Sequence, residues 1–452
     1  MILVSELIKK YNIPVPRYTS YPPVPAWETN KFSNDEYLDK LKLEFKKNDQ
    51  GISLYIHLPY CESLCTYCGC NTRITVNHAV ELPYINALIK EWEMYVSHLD
   101  KKPVINELHL GGGTPTFFSP ENLTKLINGL KQISPLSENG DFSFEGHPNN
   151  TSFGHLKTLR ELGFNRVSFG VQDFDEKVQI AINRIQPFEN VKRVVDWSRH
   201  FNYKSVNMDL VYGLPFQTKE SVIETIDKAL ELSPDRIAFY SYAHVPWVKP
   251  GQRKFGDNDV PNDDFKRELF EIGKKKFLDK GYIQIGLDHF AKPNDELTIA
   301  FQNHTLHRNF MGYTIQKTNF LFGLGTSSIS DSIVGFAQNE KTVEAYLTSI
   351  EEGNFPISKG HLLSTQDMVT KNIVANLMCN FFTLLPEHII DDTDVKGKLA
   401  DLFHDKLISI KDNSISVTEE GKPFIRNICA VFDTYLKNIV AKNAAPVYSK
   451  SV

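Results

Sequence analysis

Residues 54–70 read Leu-Tyr-Ile-His-Leu-Pro-Tyr-Cys-Glu-Ser-Leu-Cys-Thr-Tyr-Cys-Gly-Cys. The stretch places Cys61, Cys65 and Cys68 in the spacing Cys-x3-Cys-x2-Cys, with Cys70 two residues later. Thiols this close together indicate a metal or iron–sulfur site, because one short loop can aim several sulfurs at a single point. The apolar and aromatic residues before them predict a strand. The cysteines are therefore expected on the loop that leaves the C-terminal end of that strand.

The four clustered cysteines fit a zinc site, a disulfide cluster or a redox pair less well. A zinc site usually takes ligands from two separated pairs, and this chain has no second Cys pair. A disulfide cluster is not expected in a long chain without a secretion signal. A redox pair needs only Cys-x-x-Cys and leaves Cys61 and Cys70 unexplained. Three ligands on a four-iron cluster leave one iron open, as in radical S-adenosylmethionine (SAM) enzymes, whose signature this spacing resembles.

Length and composition describe an ordinary globular protein. The 452 residues suffice for two or three domains, and 41% are hydrophobic and 23% charged. The formal net charge of −5 argues against general affinity for nucleic acid or anionic membranes. No apolar run approaches the roughly 18 residues of a spanning helix, and the N-terminus reads as a helix rather than a signal peptide. A cytoplasmic location is expected.

Between residues 52 and 242, β-rich runs alternate with amphipathic helical segments. Repeated βα units imply a parallel sheet with right-handed crossovers, and six units are too few for an eight-stranded barrel. The sequence therefore predicts an α/β fold with a partial (βα)6 parallel barrel. The predicted strands are Ile52–His57, Ile105–Leu110, Phe142–Glu145, Arg166–Gly170, Ser205–Val211 and Arg236–Tyr242. The predicted helical segments are Val80–Leu99, Pro120–Ile133, Ser152–Leu162, Asp175–His200 (as one helix or two) and Lys219–Leu232.

Three domains are expected along the chain. Residues 1–45 form a helix and an extended N-terminal strap, residues 46–290 the barrel, and residues 291–452 a mostly helical domain that closes over the active site. In the strap, Pro16-Arg17-Tyr18-Thr19-Ser20-Tyr21-Pro22 either packs tyrosines onto a domain surface or crosses an active-site mouth and offers Arg17 to an anionic substrate. Residues 281–290 predict a strand and a turn, residues 407–417 a hairpin, and residues 425–436 one last helix.

Polar and glycine residues recur where the predicted strands end, the edge that carries the chemistry of parallel barrels. Gly111-Gly112-Gly113-Thr114-Pro115-Thr116 follows the second strand, Glu145 ends the third, and Asp209 is the one charge in the fifth. Consecutive glycines let a ligand approach the backbone closely. A buried Asp209 needs a partner, either a ligand or a structural Arg. A second glycine-rich turn, residues 322–330, reads as a plain loop or as a wall against SAM.

Several motifs together resemble one family, the oxygen-independent coproporphyrinogen III oxidases (dehydrogenases). The resemblance runs nearly end to end, and its terminal motifs are the specific part because relatives share the barrel motifs. The motifs are Pro16 to Pro22, Cys-x3-Cys-x2-Cys-x-Cys, Gly-Gly-Gly-Thr-Pro-Thr, Gly170-Val171-Gln172-Asp173-Phe174, Asp209 to Pro215, His307-Arg308-Asn309-Phe310, and Arg426-Asn427-Ile428 through Tyr435-Leu436.

The resemblance implies a set of cofactor sites. Cys61, Cys65 and Cys68 would hold a [4Fe–4S] cluster, and Cys70 matches an extra cysteine that is not a cluster ligand in the family. A first SAM would meet Tyr55, Gly112, Glu145 and Ile329. A second SAM would lie near Tyr67, Gly113, Thr114, Gln172, Arg184, Asp209 and Ala243. Glu145-Gly146-His147-Pro148 departs from the family pattern, which puts the hydrogen bonding of His147 in doubt.

The same resemblance implies an activity in haem biosynthesis. Two propionates of coproporphyrinogen III would become vinyl groups without oxygen, giving protoporphyrinogen IX, and a low-potential donor such as flavodoxin or ferredoxin would supply electrons to a monomer. The substrate is a tetra-anion, so Arg17 and Arg308 are candidates for its carboxylates. A haem-binding chaperone is an alternative, but such relatives lack the fourth cysteine and the strap motif. A radical SAM methyltransferase or ring-opening enzyme is a third reading.

Overall fold

A twelve-stranded mixed sheet organises the molecule, as a computed structural model describing residues 2–442 and 447–451 shows. Six parallel strands lie side by side in chain order and form the partial barrel. They are Ile52–Leu58, Ile105–Gly112, Leu136–Gly146, Arg166–Gln172, Ser205–Tyr212 and Arg236–Ser241. All six match the predicted strands, and the α/β partial barrel is confirmed.

The helices of the barrel also lie where the sequence places them. They are Glu81–Leu99, Pro120–Ile133, Phe153–Glu161, Glu176–Ala181, Phe188–His200 and Lys219–Glu231, so the segment 175–200 is two helices. Polar caps fix where they begin. The Ser119 hydroxyl accepts the Asn122 N–H ahead of Pro120, and Ser152 and Thr218 form capping boxes.

The sheet continues beyond the six barrel strands at both edges. Phe320–Leu324 pairs in parallel with the first barrel strand, and Ile329–Ser332, Gly335–Asn339 and Ile357–Leu362 follow it antiparallel. At the other edge, His289–Ala291 and Ile283–Ile285 form an antiparallel hairpin where the sequence predicts one strand and a turn. One sheet takes strands from both sides of residue 290. The domain division at that residue therefore does not coincide with a boundary of the sheet and stays a prediction.

The remaining elements surround this sheet. The helices are Ile2–Tyr11, Asn34–Phe45, Asp263–Asp279, Glu296–Gln302, Val343–Glu351, Thr365–Asn380, Glu387–Ile390, Thr393–His404, Ile425–Ala430 and Leu436–Lys442. The short strands are Tyr60–Cys61, Arg73–Ile74, His307–Asn309, Gly312–Thr314, Phe382–Leu384, Ile408–Lys411 and Ser414–Val417. The last two form the predicted hairpin. In the described residues, no helix combines the length and the apolar character that crossing a membrane requires.

The single last helix predicted over residues 425–436 is wrong. Two helices stand there, Ile425–Ala430 and Leu436–Lys442. The carboxylate of Asp433 accepts the backbone N–H groups of Tyr435 and Leu436 at 2.9 and 3.1 Å and so caps the beginning of the second helix. Aspartate competes with helical backbone bonding in this way wherever its side chain can reach a free N–H group.

Two of the four apolar clusters in the described residues are much larger than the others. The larger one joins the barrel strands to the helices around them, and the smaller one fills the region after residue 365. Tyr18 and Tyr21 of the N-terminal strap are buried in the smaller core, at 3% and 1% exposure, and the Tyr18 hydroxyl donates to Asp433 at 3.0 Å. The strap therefore fastens the beginning of the chain to its C-terminal region.

Candidate active site

The cysteine loop leaves the first barrel strand and is tied down by its neighbours. The Cys68 N–H donates to the Cys65 carbonyl at 3.1 Å. Thr66 donates through its N–H to the Ile182 carbonyl and through its hydroxyl to that of Ala181. These bonds hold the loop against the short helix Glu176–Ala181, so the thiols keep fixed positions.

Each of the three motif thiols has a different polar neighbour. The Cys61 Sγ lies 3.3 Å from the Thr114 hydroxyl, and the Cys65 Sγ accepts Nη1 of Arg184 at 3.5 Å. The Cys68 Sγ accepts the Cys70 N–H at 3.4 Å. Burial raises the pKa of Cys61 to about 11, whereas the bonds from Cys70 lower the pKa of Cys68 to about 6. Cysteine binds iron as a thiolate, so Cys61 has to lose its proton on binding in spite of its high pKa.

Three cysteine thiols on one loop are the donor set by which proteins hold iron–sulfur clusters. Among the residues that the structure describes, no three His, Cys, Asp or Glu side chains are grouped to hold one metal ion. In an iron–sulfur cluster each thiolate binds a different iron, so its ligands stand farther apart than those of one ion. Thiols held by one loop on one side of the barrel agree with that arrangement.

The glycine-rich loop packs directly on the cysteine strand. The Gly113 N–H donates to the Leu58 carbonyl at 2.8 Å, and a Cβ added there would lie 2.6 Å from the Pro59 oxygen. Gly112 has φ +117°, and a Cβ there would lie 2.7 Å from the His57 ring. Glycine is therefore required at both positions for the loop to approach the strand.

Glu145 is at the centre of a polar group inside the barrel. Its carboxylate accepts the Gly112 N–H at 3.2 Å and lies 3.5 Å from Nε2 of His109. The ring of His109 stacks on Tyr55 with centroids 6.0 Å apart. Desolvation inside the barrel opposes ionisation, but the His109 and Gly112 bonds outweigh it and hold the pKa of Glu145 below its ordinary value. The group presents a carboxylate suited to a ligand ammonium.

Arg184 joins the cysteine loop to the fourth strand. It donates to the Gly170 carbonyl at 2.5 Å as well as to Cys65, while its buried Nε bonds to no described residue. A Cβ at Gly170 would lie 2.7 Å from Nε2 of Gln172 and 3.0 Å from Nη2 of Arg184. The two predicted site residues, Gln172 and Arg184, therefore meet over Gly170.

Asp209 has neutral partners instead of the structural Arg that the sequence suggested as one option. It accepts the Ser168 hydroxyl at 3.0 Å and Nδ2 of Asn207 at 2.8 Å. Burial, with the nearby charge of Glu145, raises its pKa to about 6. No described Lys or Arg forms an ion pair with Asp209, so its carboxyl group is available to a positively charged ligand.

Gln252 links two predicted residues that lie far apart in the sequence. Its Nε2 donates to the carbonyls of Tyr67 and Ala243 at 3.2 and 3.3 Å, and the side chain is 2% exposed.

Ile329 stands at the other side of the barrel. A Cβ at Gly323 would lie 2.6 Å from the Ile329 oxygen, and Gly323 pairs in register with Tyr55. All the predicted SAM-site residues thus lie at or beside one end of the barrel.

Arg17 and Arg308 both influence the carboxylate of Asp288. Arg17 donates to Asp288 at 2.8 Å, and its side chain is 40% exposed. Arg308 is enclosed and donates to the Tyr313 hydroxyl at 2.7 Å. Burial opposes ionisation of Asp288, but bonding to His289 and the charges of Arg17 and Arg308 hold its pKa well below the usual range. Of the two candidates, Arg17 is the accessible one.

The sequence prediction missed His109 and Gln252. His109 lies two residues after Glu107 in one strand, and side chains two residues apart in a strand point to the same face. The pattern could therefore have placed His109 inside the barrel. Gln252 lies in a short 3-10 turn without any periodicity.

His147 accepts the Asn149 N–H through Nδ1 at 3.2 Å, and burial beside Arg184 lowers its pKa to about 3. A neutral imidazole agrees with Nδ1 acting as the acceptor in this bond.

Comparison with known proteins gives matches along the whole chain. The model of the Radical SAM superfamily matches residues 55–229. An oxygen-independent coproporphyrinogen III oxidase of Synechocystis is 40% identical, covering 99% of this chain and 98% of the relative. The protein of that name from Escherichia coli is 36% identical over 95% of both chains.

A solved structure agrees with these sequence matches. Coproporphyrinogen III oxidase (HemN) from Escherichia coli, described as a radical SAM enzyme, superimposes with a TM-score of 0.88 at 34% identity. The superposition covers 95% of this chain and 98% of that one. The similarity therefore includes the strap and the C-terminal region as well as the barrel.

Proposed function

The chain belongs to the oxygen-independent coproporphyrinogen III oxidases of the radical SAM superfamily, and from this premise we propose which of its residues carry each part of the reaction. The reaction is the oxidative decarboxylation of two propionates of coproporphyrinogen III to vinyl groups, which gives protoporphyrinogen IX for haem biosynthesis. The observation that carries the assignment of residues is the packing of Thr114, in the glycine-rich loop, against Cys61 and of Arg184 against Cys65.

The enzyme uses a [4Fe–4S] cluster and SAM. When bound, they supply the one-electron reduction and the hydrogen-atom abstraction that begin the decarboxylation. In our proposal Cys61, Cys65 and Cys68 hold the cluster. Arg184 donates to Cys65 and Thr114 lies beside Cys61, contacts that stabilise thiolate charge. Cys70, which donates its N–H to the Cys68 Sγ, is not among the proposed ligands.

The first SAM is proposed to bind where Tyr55, Gly112, Glu145 and Ile329 surround the ends of adjacent strands. Glu145 supports this, because its low pKa keeps it anionic and able to bind the ammonium group of SAM. A second SAM is proposed beside Asp209 and Arg184. Its remaining contacts would be Tyr67, Gly113, Thr114, Gln172 and Ala243.

The substrate and the other partners follow from the same proposal. Arg17 and Arg308 are the candidates for substrate carboxylates, and the exposed side chain of Arg17 supports the first of them. A low-potential flavodoxin or ferredoxin is the proposed electron donor. The enzyme is proposed to act as a cytoplasmic monomer, without nucleic acid or membrane partners.

An anaerobic turnover assay tests the function. The cluster is reconstituted and reduced, SAM and coproporphyrinogen III are added, and the tetrapyrrole is analysed by mass. We expect sequential loss of two carboxyl groups, only when SAM is present. Cys65→Ser, which removes one proposed cluster ligand, is expected to abolish both SAM cleavage and decarboxylation.

Two other outcomes would overturn the assignment. Cleavage of SAM with an untouched tetrapyrrole would keep the radical chemistry but move the substrate elsewhere. Tight haem binding without SAM cleavage would favour the haem-binding chaperone.

A further inference from the structure

A cavity of about 810 Å³ lies beside the ends of the fifth and sixth barrel strands. Its walls come from Tyr212 and Ser241 at those strand ends, from the strap at Arg17, and from the helix Asp263–Asp279. Residues 447–451 close it on the C-terminal side. The volume lies within the roughly 300–1,000 Å³ typical of small-molecule sites.

The lining of this cavity carries more positive than negative charge. Its two carboxylates are already paired, since Asp288 binds Arg17 and Asp263 binds Lys450. Two further lining cations pair with neighbours on their own segments, Arg267 with Glu271 and Lys422 with Glu419. Among the described ion pairs, none gives a carboxylate to the three lining residues Lys266, Lys274 and Arg426. The cavity therefore has capacity for a polyanion.

Lys266 is held at the strand ends by its surroundings. Its aliphatic chain lies across Gly213, where φ is +82° and a Cβ would lie 2.8 Å from the lysine Cε. Its Nζ donates to the Tyr242 carbonyl, one residue before Ala243. Burial lowers the pKa of Lys266 to about 8, and the nearby positive charges of Arg17, Arg426 and Lys450 act in the same direction. The negative charge of Asp263 acts to raise it. Nζ has three N–H donors, and its one bond to a described residue leaves two for a ligand.

The uncompensated charge suggests what the cavity binds. A cation that is partly withdrawn from water and surrounded by like charges costs folding free energy unless an anion binds to it. Coproporphyrinogen III carries four propionates, two of which remain in the product. A cation on a reacting carboxylate would stabilise the charged ground state, whose charge is lost as CO2 leaves, and would therefore slow that step. A basic cavity beside the strand ends suits the carboxylates that do not react.

We propose that Lys266 binds a propionate carboxylate that the reaction leaves in place, in the cavity lined by the strap, the helix Asp263–Asp279 and residues 447–451. This inference rests on the proposed function and adds a residue and a role to it. Arg17 faces the same cavity from the strap. The helix that carries Lys266 thus takes part in substrate recognition.

The test compares Lys266→Gln with Lys275→Gln on the same helix. Lys275 is 75% exposed and pairs with Asp279, away from the cavity. Binding of coproporphyrin III and of protoporphyrin IX, the stable oxidised analogues of substrate and product, is measured by fluorescence on the cluster-loaded enzyme. Loss of a charge-assisted hydrogen bond predicts that Lys266→Gln raises both dissociation constants about tenfold or more. Lys275→Gln should match the wild type.

Kinetics and salt dependence separate binding from misfolding. Lys266→Gln should raise KM for coproporphyrinogen III more than it lowers kcat, and its porphyrin affinity should fall less with ionic strength than that of the wild type. Unchanged affinities, or a loss confined to coproporphyrin, would overturn the inference even if the wild type performs the decarboxylation. A wild type that leaves coproporphyrinogen III unconverted would instead overturn the proposed function, and this inference with it.

Discussion

Asp209 is a carboxyl group bonded by neutral side chains inside the barrel, and its titration should be visible in stability. Its pKa is raised from 3.8 to about 6 by burial first and by Glu145 second. A carboxyl group whose pKa is higher in the folded state makes its full contribution to stability at pH values below its pKa in the unfolded state. This contribution is lost as the pH rises through its pKa in the folded state. A difference of this size corresponds to up to about 3 kcal/mol.

Replacement of Asp209 by Asn removes that titration. In the SAM-free, cluster-loaded protein we expect the stability of Asp209→Asn relative to the wild type to increase between pH 4 and pH 7 and then to level off. Thermal melting across this range measures it, with Asp196→Asn on an exposed helix position as the control. A stability difference that does not change with pH would contradict the assigned pKa.

The sequence predicted the residues at the strand ends because those positions follow from local patterns. A period of two and the common edge of parallel strands were enough to bring Glu145, Gly112 and Asp209 together. Lys266 and Gln252 could not be found in this way. Lys266 looks like one of many charges on an amphipathic helix, and only the packing of that helix across Gly213 brings it to the strand ends.

Glu91 connects two elements, the helix Glu81–Leu99 and the glycine-rich turn before Ile329. It is fully buried and accepts the Gly325 N–H at 2.9 Å, Nδ2 of Asn339 at 2.6 Å and the Tyr346 hydroxyl at 2.6 Å. Because these donors would be left buried and unpaired, we expect Glu91→Ala to lower the free energy of unfolding by about 2–5 kcal/mol. It should also weaken SAM binding through the loosened turn.

Chemical denaturation and SAM-binding calorimetry check this prediction. Glu93→Ala, two residues along the same helix and exposed, is the matched control and should change stability by no more than about 0.5 kcal/mol. Equal stability of the two variants would show that the Glu91 bonds do not hold the turn.

Element types were predicted well where the periodicity was long, and poorly where one side chain decided the outcome. The barrel helices and strands agree within a few residues at most of their ends. The break between Ile425–Ala430 and Leu436–Lys442 depends on the Asp433 carboxylate reaching two N–H groups. A hydrophobic pattern that runs through both helices does not contain this information.

At the scale of the whole molecule, Arg426 joins the two ends of the described chain. Its guanidinium donates to the carbonyls of Val15 and Pro16 in the strap and to those of Ser449 and Lys450. It is 7% exposed, so these bonds are shielded from water. Arg426→Ala would leave four carbonyls without this donor and release both segments.

Limited proteolysis measures that release. We expect Arg426→Ala to be cleaved within residues 12–20 at least tenfold faster than the wild type, and to bind coproporphyrin III more weakly because Arg17 is no longer positioned. Lys398→Ala, at a partly exposed site in the same region, is the control. Unchanged cleavage would show that the buried Tyr18 and Tyr21 hold the strap by themselves.

The bond between the Val15 N–H and the Ser449 carbonyl, 3.3 Å long, has a consequence for the order of events during translation. While the ribosome is still adding residues before 449, the strap has no partner for this bond, although the six barrel strands are already complete. A nascent chain of this length already contains the cysteine loop, while the cavity that residues 447–451 line is still open on that side. The residues 447–451 that line the proposed substrate cavity are therefore synthesised after the cysteine loop and the barrel strands.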